Sequence, residues 1–249
     1  MRLQDKVIII TGAAHHIGQA YALRCAQEGA KLVICDIRDC GNTAEMCIEA
    51  GAEVLALHTD VANEEDTLEM ARKAVERFGR IDCIVNNAGI YDGLTARSML
   101  EVDLDEWDRV MDVNVKGIFL CTRAVVPYMR EQGGGKIINI GSAIWFFGGS
   151  GIPHYVASKA AVTGLTRALA RELGADNIKV NTIAPGGTNS GAVVTRDERA
   201  PQTPPPSPNV LGRREVSEDL TGTVVFLASE DSDYITGQMI AVTGGAGMH

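Results

Sequence analysis

Aromatic side chains are scarce in this 249-residue chain, at 5% of the total, and only two are tryptophan. Positive charge is scarce as well: 23 Lys and Arg stand against 32 Asp and Glu, and the formal charge of -9 leaves no basic surface for a nucleic-acid backbone or an anionic membrane. No run approaches the roughly 18 apolar residues of a membrane span. The leading MRLQDKVIII offers a four-residue apolar run before Thr11, too short for a signal-peptide core. The expected location is therefore the cytoplasm, and the expected chemistry is on small molecules.

Cysteine is present but unpatterned. All six residues, Cys25, Cys35, Cys40, Cys47, Cys83 and Cys121, fall in the first half without CxxC spacing, which argues against zinc sites and a disulfide framework. They read as buried thiols. Proline is rare except at one place, where five of eight lie between Pro201 and Pro208. The stretch GGTNSGAVVTRDERAPQTPPPSP leaves the carboxyl end of a strand, the edge at which open α/β sheets bind ligands. It reads either as a stiffened surface loop or as a substrate lid over residues 187–212.

Short β-branched runs alternate with longer helical segments: KVIIIT, KLVICD, EVLALH, DCIVNN, KIINIGS, IKVNTIA and MIAVTG. That rhythm predicts a parallel sheet with crossover helices. Runs apolar on consecutive residues suit strands covered on both faces, so the α/β sheet is expected to be doubly wound. A length of 249 residues fits one such domain.

The stretch TGAAHHIG follows the first strand and opens a helix near Ile17, with Gly12 and Gly18 flanking the turn. A strand, a glycine turn and a helix N-terminus together aim backbone N–H groups and a positive dipole end at a pyrophosphate. Asp36 ends the second strand, where a carboxylate accepts hydrogen bonds from adenosine ribose hydroxyls and repels a 2′-phosphate, favouring NAD(H) over NADP(H). Arg38 and His15 blur that preference. Asp60, ending the third strand, reads either as a contact to the adenine edge or as the cap of the following helix.

Tyr155 and Lys159 of YVASK are four residues apart in a helix-forming run, hence on one face. An ammonium beside a phenol is expected to lower the phenol's pKa and make it a usable acid/base. The strand KIINIGS delivers Ser142, whose hydroxyl can bind a substrate oxygen, and DCIVNN delivers NNAG, Asn86 to Gly89. Asn114 is a polar residue in an otherwise apolar helix, either a core amide bonded to backbone or a relay holding water near Lys159.

With TGAAHHIG, Asp36, NNAG, Asn114, Ser142, YVASK and Pro185–Gly186 in order, the chain resembles the single-domain short-chain dehydrogenase/reductases over nearly all its length. The resemblance implies a seven-stranded Rossmann sheet with helices on both faces, hydride transfer at a nicotinamide, and a homotetramer. It implies a catalytic tetrad of Asn114, Ser142, Tyr155 and Lys159, with Tyr155 as general acid/base, Ser142 polarising the carbonyl, and Lys159 also gripping the nicotinamide ribose. The cofactor contacts it implies are Gly12, His16, Ile17 and Gly18 at the phosphates, and Asp36, Asp60 and Val61 at the adenosine. Asn87, Ala88 and Gly89 would line the cofactor, and the backbone after Pro185–Gly186 would meet the nicotinamide, with Thr188 or Ser190 at its carboxamide. One departure is His16, where the family has glycine. Histidine keeps the N–H donor and is enriched at positive φ, so the loop is expected still to bind.

The leading expectation is thus an NAD-dependent dehydrogenase or reductase interconverting a secondary alcohol and a ketone. Ile144 and Trp145, just after Ser142, are expected in the substrate pocket with Phe146 or Phe147, in which case the substrate is apolar or aromatic. The alternatives are an enzyme resembling 3-oxoacyl-carrier-protein reductases, for which Arg130 and Arg171 would form a patch for an acidic partner, and a non-catalytic NAD-binding sensor.

Overall fold

In the computed structural model of the chain, residues 1–197 and 209–247 are described. The strands are β1 (Val7–Thr11), β2 (Lys31–Asp36), β3 (Val54–His58), β4 (Cys83–Asn86), β5 (Thr95–Ala96), β6 (Gly135–Ile140), β7 (Ile178–Pro185), β8 (Thr195–Arg196) and β9 (Met239–Val242). Seven of them pair in parallel in the order β3-β2-β1-β4-β6-β7-β9, and the short β5 and β8 form a separate parallel pair. The helices are α1 (His16–Gln27), α2 (Gly41–Glu49), α3 (Glu64–Phe78), α4 (Leu104–Met111), α5 (Gly117–Glu131), the single turn α6 (Ile144–Phe147), α7 (Pro153–Leu173) and α8 (Ser217–Ala228). This is the doubly wound sheet expected from the runs.

The consecutive isoleucines of β1 show why both faces had to be covered. Ile8 and Ile10 point into a core built with Tyr21 and Cys25 of α1 and Leu220 and Val224 of α8. Ile9, between them, points into a second core with Met70 of α3, Val125 of α5 and Leu169 of α7. All six cysteines are buried and free. Burial pushes the Cys25 and Cys121 thiols up to about 12, so they are inert at neutral pH. Among the described residues no helix is long and apolar enough to cross a membrane.

Strand order reverses between β1 and β4. The carboxyl ends of these two neighbours feed loops that turn to opposite sides, opening a crevice there. On the β4 side, α4 and α5 are joined by a π-helical turn, Asp112–Lys116, that carries Asn114.

Helix α3 is capped by Asn63, whose side chain accepts from the Glu65 and Asp66 N–H groups at 2.9 and 3.4 Å, and three acidic residues fill its first turn. The capping role open to Asp60 is therefore not its own: its carboxylate takes the Ala62 N–H at 2.9 Å in a local turn. Replacing Asn63 with alanine is expected to cost about 1 kcal/mol and to lower Tm by about 2–4 °C in thermal unfolding. An unchanged Tm would mean that the cap carries no stability.

Candidate functional site

The floor of the crevice is a three-way crossing of β1, β4 and α1. Asn87 reaches back from the end of β4 and donates through Nδ2 to the Thr11 and Gly12 carbonyls at 2.9 and 3.0 Å. Thr11 Oγ1 in turn accepts the Asn87 and Ala88 N–H groups, both at 3.0 Å. Gly12 sits at φ +64°, and a Cβ there would lie 2.7 Å from the Ala88 Cα. At Gly18 a Cβ would fall 2.1 Å from the Gly12 carbonyl oxygen, so only glycine lets the first turn of α1 come this close. The result is a cradle in which the unpaired N–H groups of a helix N-terminus, around Ile17 and Gly18, look out over bare backbone. That is the shape a pyrophosphate needs.

His16 takes the left-handed conformation, φ +55°, that the glycine of the resembling family would supply. Its side chain leans across the crevice: Nδ1 lies 2.6 Å from the Ser190 carbonyl oxygen and Nε2 4.0 Å from Asp92 Oδ2. Since a carbonyl only accepts, Nδ1 carries the proton in this contact. Gly191 makes room for the ring, because a Cβ there would stand 2.9 Å from His16 Cε1. The bulk of the His16 ring in one loop is thus matched by a glycine in the facing one. Asp92 also accepts the Val193 N–H at 2.9 Å. The loops after β1, β4 and β7 are therefore stitched together around the crevice.

Asp36 stands at the end of β2, 7% exposed. Its Oδ2 accepts the Ala14 N–H at 3.1 Å and its Oδ1 the Arg38 N–H at 2.9 Å, which ties the strand end to the glycine loop. A carboxylate has about four lone-pair positions, so two acceptor positions remain for a ribose. Arg38 Nη1 meets His15 Nε2 at 2.5 Å, and burial, His16 and Arg38 together hold the His15 imidazole below its usual range. The ring nitrogens of His15 and His16 and the Asp92 carboxylate lie within 4.8 Å of one another. The Arg38 guanidinium, 4.0 Å from Asp92, already supplies the positive charge there. Val61 is buried against Gly117, whose lack of a Cβ leaves it space.

On the other side, β6 ends two residues before Ser142, and α7 presents Tyr155 and Lys159. Lys159 Nζ donates to the Ile140 carbonyl at 2.9 Å and stands 5.7 Å from the centre of the Tyr155 ring. The π-helical turn puts Asn114 wholly inside, where Oδ1 accepts the Ile90 N–H at 2.7 Å and Nδ2 donates to the Ile90 carbonyl and to Ser158 Oγ. A Cβ on Gly89 would come 3.5 Å from Lys159 Nζ and 3.2 Å from Asn114 Oδ1. The four residues of the expected tetrad, Asn114, Ser142, Tyr155 and Lys159, thus converge beside the cradle, and both readings of Asn114 are compatible with its bonds to backbone.

The electrostatics depart from expectation at Tyr155. Burial, and then the neighbouring Tyr91, push its phenol well above the ordinary range, opposed only by a hydrogen bond with Ser142. The Lys159 ammonium, 5.7 Å from the ring centre, does not reverse this, and its own burial brings it down to about 8. In this state the phenol is a protonated donor.

Ile144 joins Leu94, Val110 and Ile152 in an apolar cluster around Tyr155. Trp145 packs at a tilt against Phe146, 4.1 Å between ring centres, and has a buried indole N–H without a hydrogen-bond partner, while Phe147 is exposed. Two residues escaped the sequence reading. Tyr91, 38% exposed, holds its ring 4.9 Å from that of Tyr155 at 48°. Glu215, buried, accepts the Gly186 N–H at 3.2 Å and the Thr188 hydroxyl at 2.5 Å. Neither belongs to a motif. Tyr91 lies only two residues past NNAG, which is the one signal that could have drawn attention to it. Of the expected lid, Val193 accepts the Gly93 N–H at 2.9 Å and Thr195–Arg196 pairs with Thr95–Ala96. The proline cluster, Pro201 to Pro208, lies outside the described residues.

A family model described as enoyl-(acyl carrier protein) reductase matches residues 12–247. The 3-oxoacyl-[acyl-carrier-protein] reductase FabG of Thermotoga maritima is 41% identical, over 98% of this chain and 99% of its own. The (2S)-[(R)-hydroxy(phenyl)methyl]succinyl-CoA dehydrogenase subunit BbsD of Thauera aromatica is 38% identical, over 98% of each chain. Among solved structures, levodione reductase superposes with a TM-score of 0.88 at 31% identity, covering 98% of both chains.

The depressed Lys159 has a consequence for stability. In the unfolded chain an ordinary lysine stays protonated to about pH 10.4, whereas in the folded chain this ammonium is lost near 8. Between those values the unfolded chain binds more protons, so the contribution of this group to stability rises as pH climbs. Unfolding free energies of the wild type and of Lys159→Met, from denaturant titrations, should diverge by about 2 kcal/mol in favour of the wild type between pH 8 and pH 10. Parallel pH dependences in the two proteins would contradict the burial of an ionisable amine here.

Proposed function

The chain belongs to the short-chain dehydrogenase/reductase family of oxidoreductases, and we propose that within it the protein is an NAD(H)-dependent enzyme interconverting a secondary alcohol and a ketone on an apolar or aromatic substrate. The observation that carries this reading is the buried Tyr155 phenol, hydrogen-bonded to Ser142, with the Lys159 ammonium facing its ring and a backbone cradle alongside. The cradle fits a dinucleotide, since glycine at 12 and 18 lets α1 start close against β1 and β4 with the N–H groups of its first turn facing the crevice. A nicotinamide cofactor bound there supplies or takes up the hydride. In the reductive direction the Ser142 hydroxyl donates to the substrate oxygen, and Tyr155 passes its phenolic proton to that oxygen as the carbon receives the hydride. The phenolate left behind is stabilised by the Lys159 ammonium. Asn114 fixes the Ile90 backbone and Ser158, and so the face of α7 on which Tyr155 and Lys159 stand.

The preference for NAD(H) rests on Asp36, whose spare lone pairs suit ribose hydroxyls and whose charge opposes a phosphate. The substrate reading rests on Ile144, Tyr91 and the apolar cluster around Tyr155, and on the phenyl carbinol in the name of the Thauera aromatica relative. We place the enzyme in the cytoplasm as a homotetramer, in which Leu68 of α3 and Phe119 of α5, both exposed in the single chain, would be covered.

A second reading, reduction of a 3-oxoacyl thioester with NADPH, is favoured by the 41% identity to FabG and by the Arg38 and His15 pair beside Asp36. The basic patch it calls for is weaker than expected, because Arg130 is engaged with Asp176 at 2.7 Å. Aryl ketones and acetoacetyl thioesters assayed with NADH and NADPH separately decide between the two.

Under the leading reading, Tyr155→Phe lowers turnover by about 10²- to 10⁴-fold while NADH affinity is retained. Full activity in that variant would remove Tyr155 from the chemistry. Asp36→Ser weakens NADH and improves NADPH, read as the ratio of kcat/KM for the two cofactors. An unaltered ratio would leave Asp36 only its role in holding the Ala14 and Arg38 backbone.

A further inference from the structure

One buried ionisable side chain close to the site has no part in the proton transfer. Glu215 is 5% exposed, and desolvation raises its carboxyl above the ordinary range. Its position is set from several sides. The Glu215 main-chain carbonyl accepts the Asn189 N–H at 2.7 Å, and Asn189 bridges to Val216. Its Oε2 accepts the Gly186 N–H, in an approach that only glycine permits because a Cβ there would lie 2.9 Å from that oxygen. Its Oε1 accepts the Thr188 hydroxyl at 2.5 Å. Tyr21 of α1, fully buried with its hydroxyl unpartnered, feels the Glu215 charge as a further push against ionisation.

An ionised carboxylate only accepts hydrogen bonds, and a hydroxyl has one hydrogen to give. Thr188 gives its hydrogen to Glu215, so the half-buried threonine oxygen offers the crevice lone pairs and nothing else. A group that meets it there must be a donor. We propose that Glu215 is a positioning residue that fixes Thr188 as a pure hydrogen-bond acceptor for the amide N–H of the nicotinamide carboxamide, and so selects cofactors bearing that donor. This rests on the reading above, in which the nicotinamide lies against the loop after Pro185. An uncharged glutamine at 215 would break the arrangement without changing the volume, because its amide can donate to Thr188 and release the threonine hydrogen toward the crevice.

The test is equilibrium binding, by titration calorimetry, of NADH and of reduced 3-acetylpyridine adenine dinucleotide, in which a methyl ketone replaces the carboxamide and no N–H is present. Wild type should prefer NADH by about 10-fold, the scale of one buried hydrogen bond. Glu215→Gln and Thr188→Val should each bring the two dinucleotides to within about 2-fold of one another, with no further change in the double variant, while Thr188→Ser keeps the preference. A Glu215→Gln protein that keeps the wild-type preference, or loses affinity for both dinucleotides equally, overturns the proposal and leaves the reading of the crevice standing. Wild type that binds neither dinucleotide overturns both.

Discussion

The closeness of β1, β4 and the start of α1 is the constraint on which the rest of the site depends. With no side chain at Gly18, the helix turns within contact of the Gly12 carbonyl, and four hydrogen bonds from Asn87 and Ala88 to Thr11 and Gly12 hold β4 to β1 at that distance. If the elements were further apart, the N–H groups of the first helical turn would not share one concave surface, and the crevice opened by the reversal of strand order would have no floor. The contact also explains why polar residues are tolerated at strand ends inside the molecule. Thr11 Oγ1 and Asn87 Nδ2 each have backbone partners, which is what removes the cost of burying them.

The same economy recurs at the neighbouring strand ends, with charged groups. Lys159 is tied to the Ile140 carbonyl at the end of β6, and Glu215 to the Gly186 N–H just past β7. Burial disfavours the charged form of both, so the ammonium sits near 8 and the carboxyl above its ordinary range. A positive and a negative buried group thus secure two adjacent strand ends facing one crevice. His16 adds a third tie, from the glycine loop to the Ser190 carbonyl, that a glycine there could not make.

How much of this was legible depends on the range of the interactions. The seven main strands were readable because runs apolar on consecutive residues, such as VIII, satisfy only a sheet covered on both sides, and Ile8, Ile9 and Ile10 indeed alternate between two cores. Tyr155 and Lys159 were readable because helical spacing alone puts them on one face. The cap of α3 was not, since Asp60 and Asn63 are chemically equivalent choices until backbone geometry selects between them. The raised phenol of Tyr155 was also hidden: it depends on burial and on Tyr91, a residue from another loop that has no spacing relation to it. Glu215 and the partner of His16 were out of reach for the same reason, because each contact joins segments that are brought together only by the folded sheet.

The proposed function requires direct transfer of hydrogen between cofactor and substrate carbon in this crevice. Turnover of an aryl ketone with NADH carrying deuterium at the transferable C4 position, in ordinary water, tests it most directly when the alcohol is analysed by NMR. One deuterium is expected on the carbinol carbon and, in the converse experiment with unlabelled NADH in heavy water, none there. Solvent-derived deuterium on that carbon, or NADH consumed with no label transferred, would contradict it.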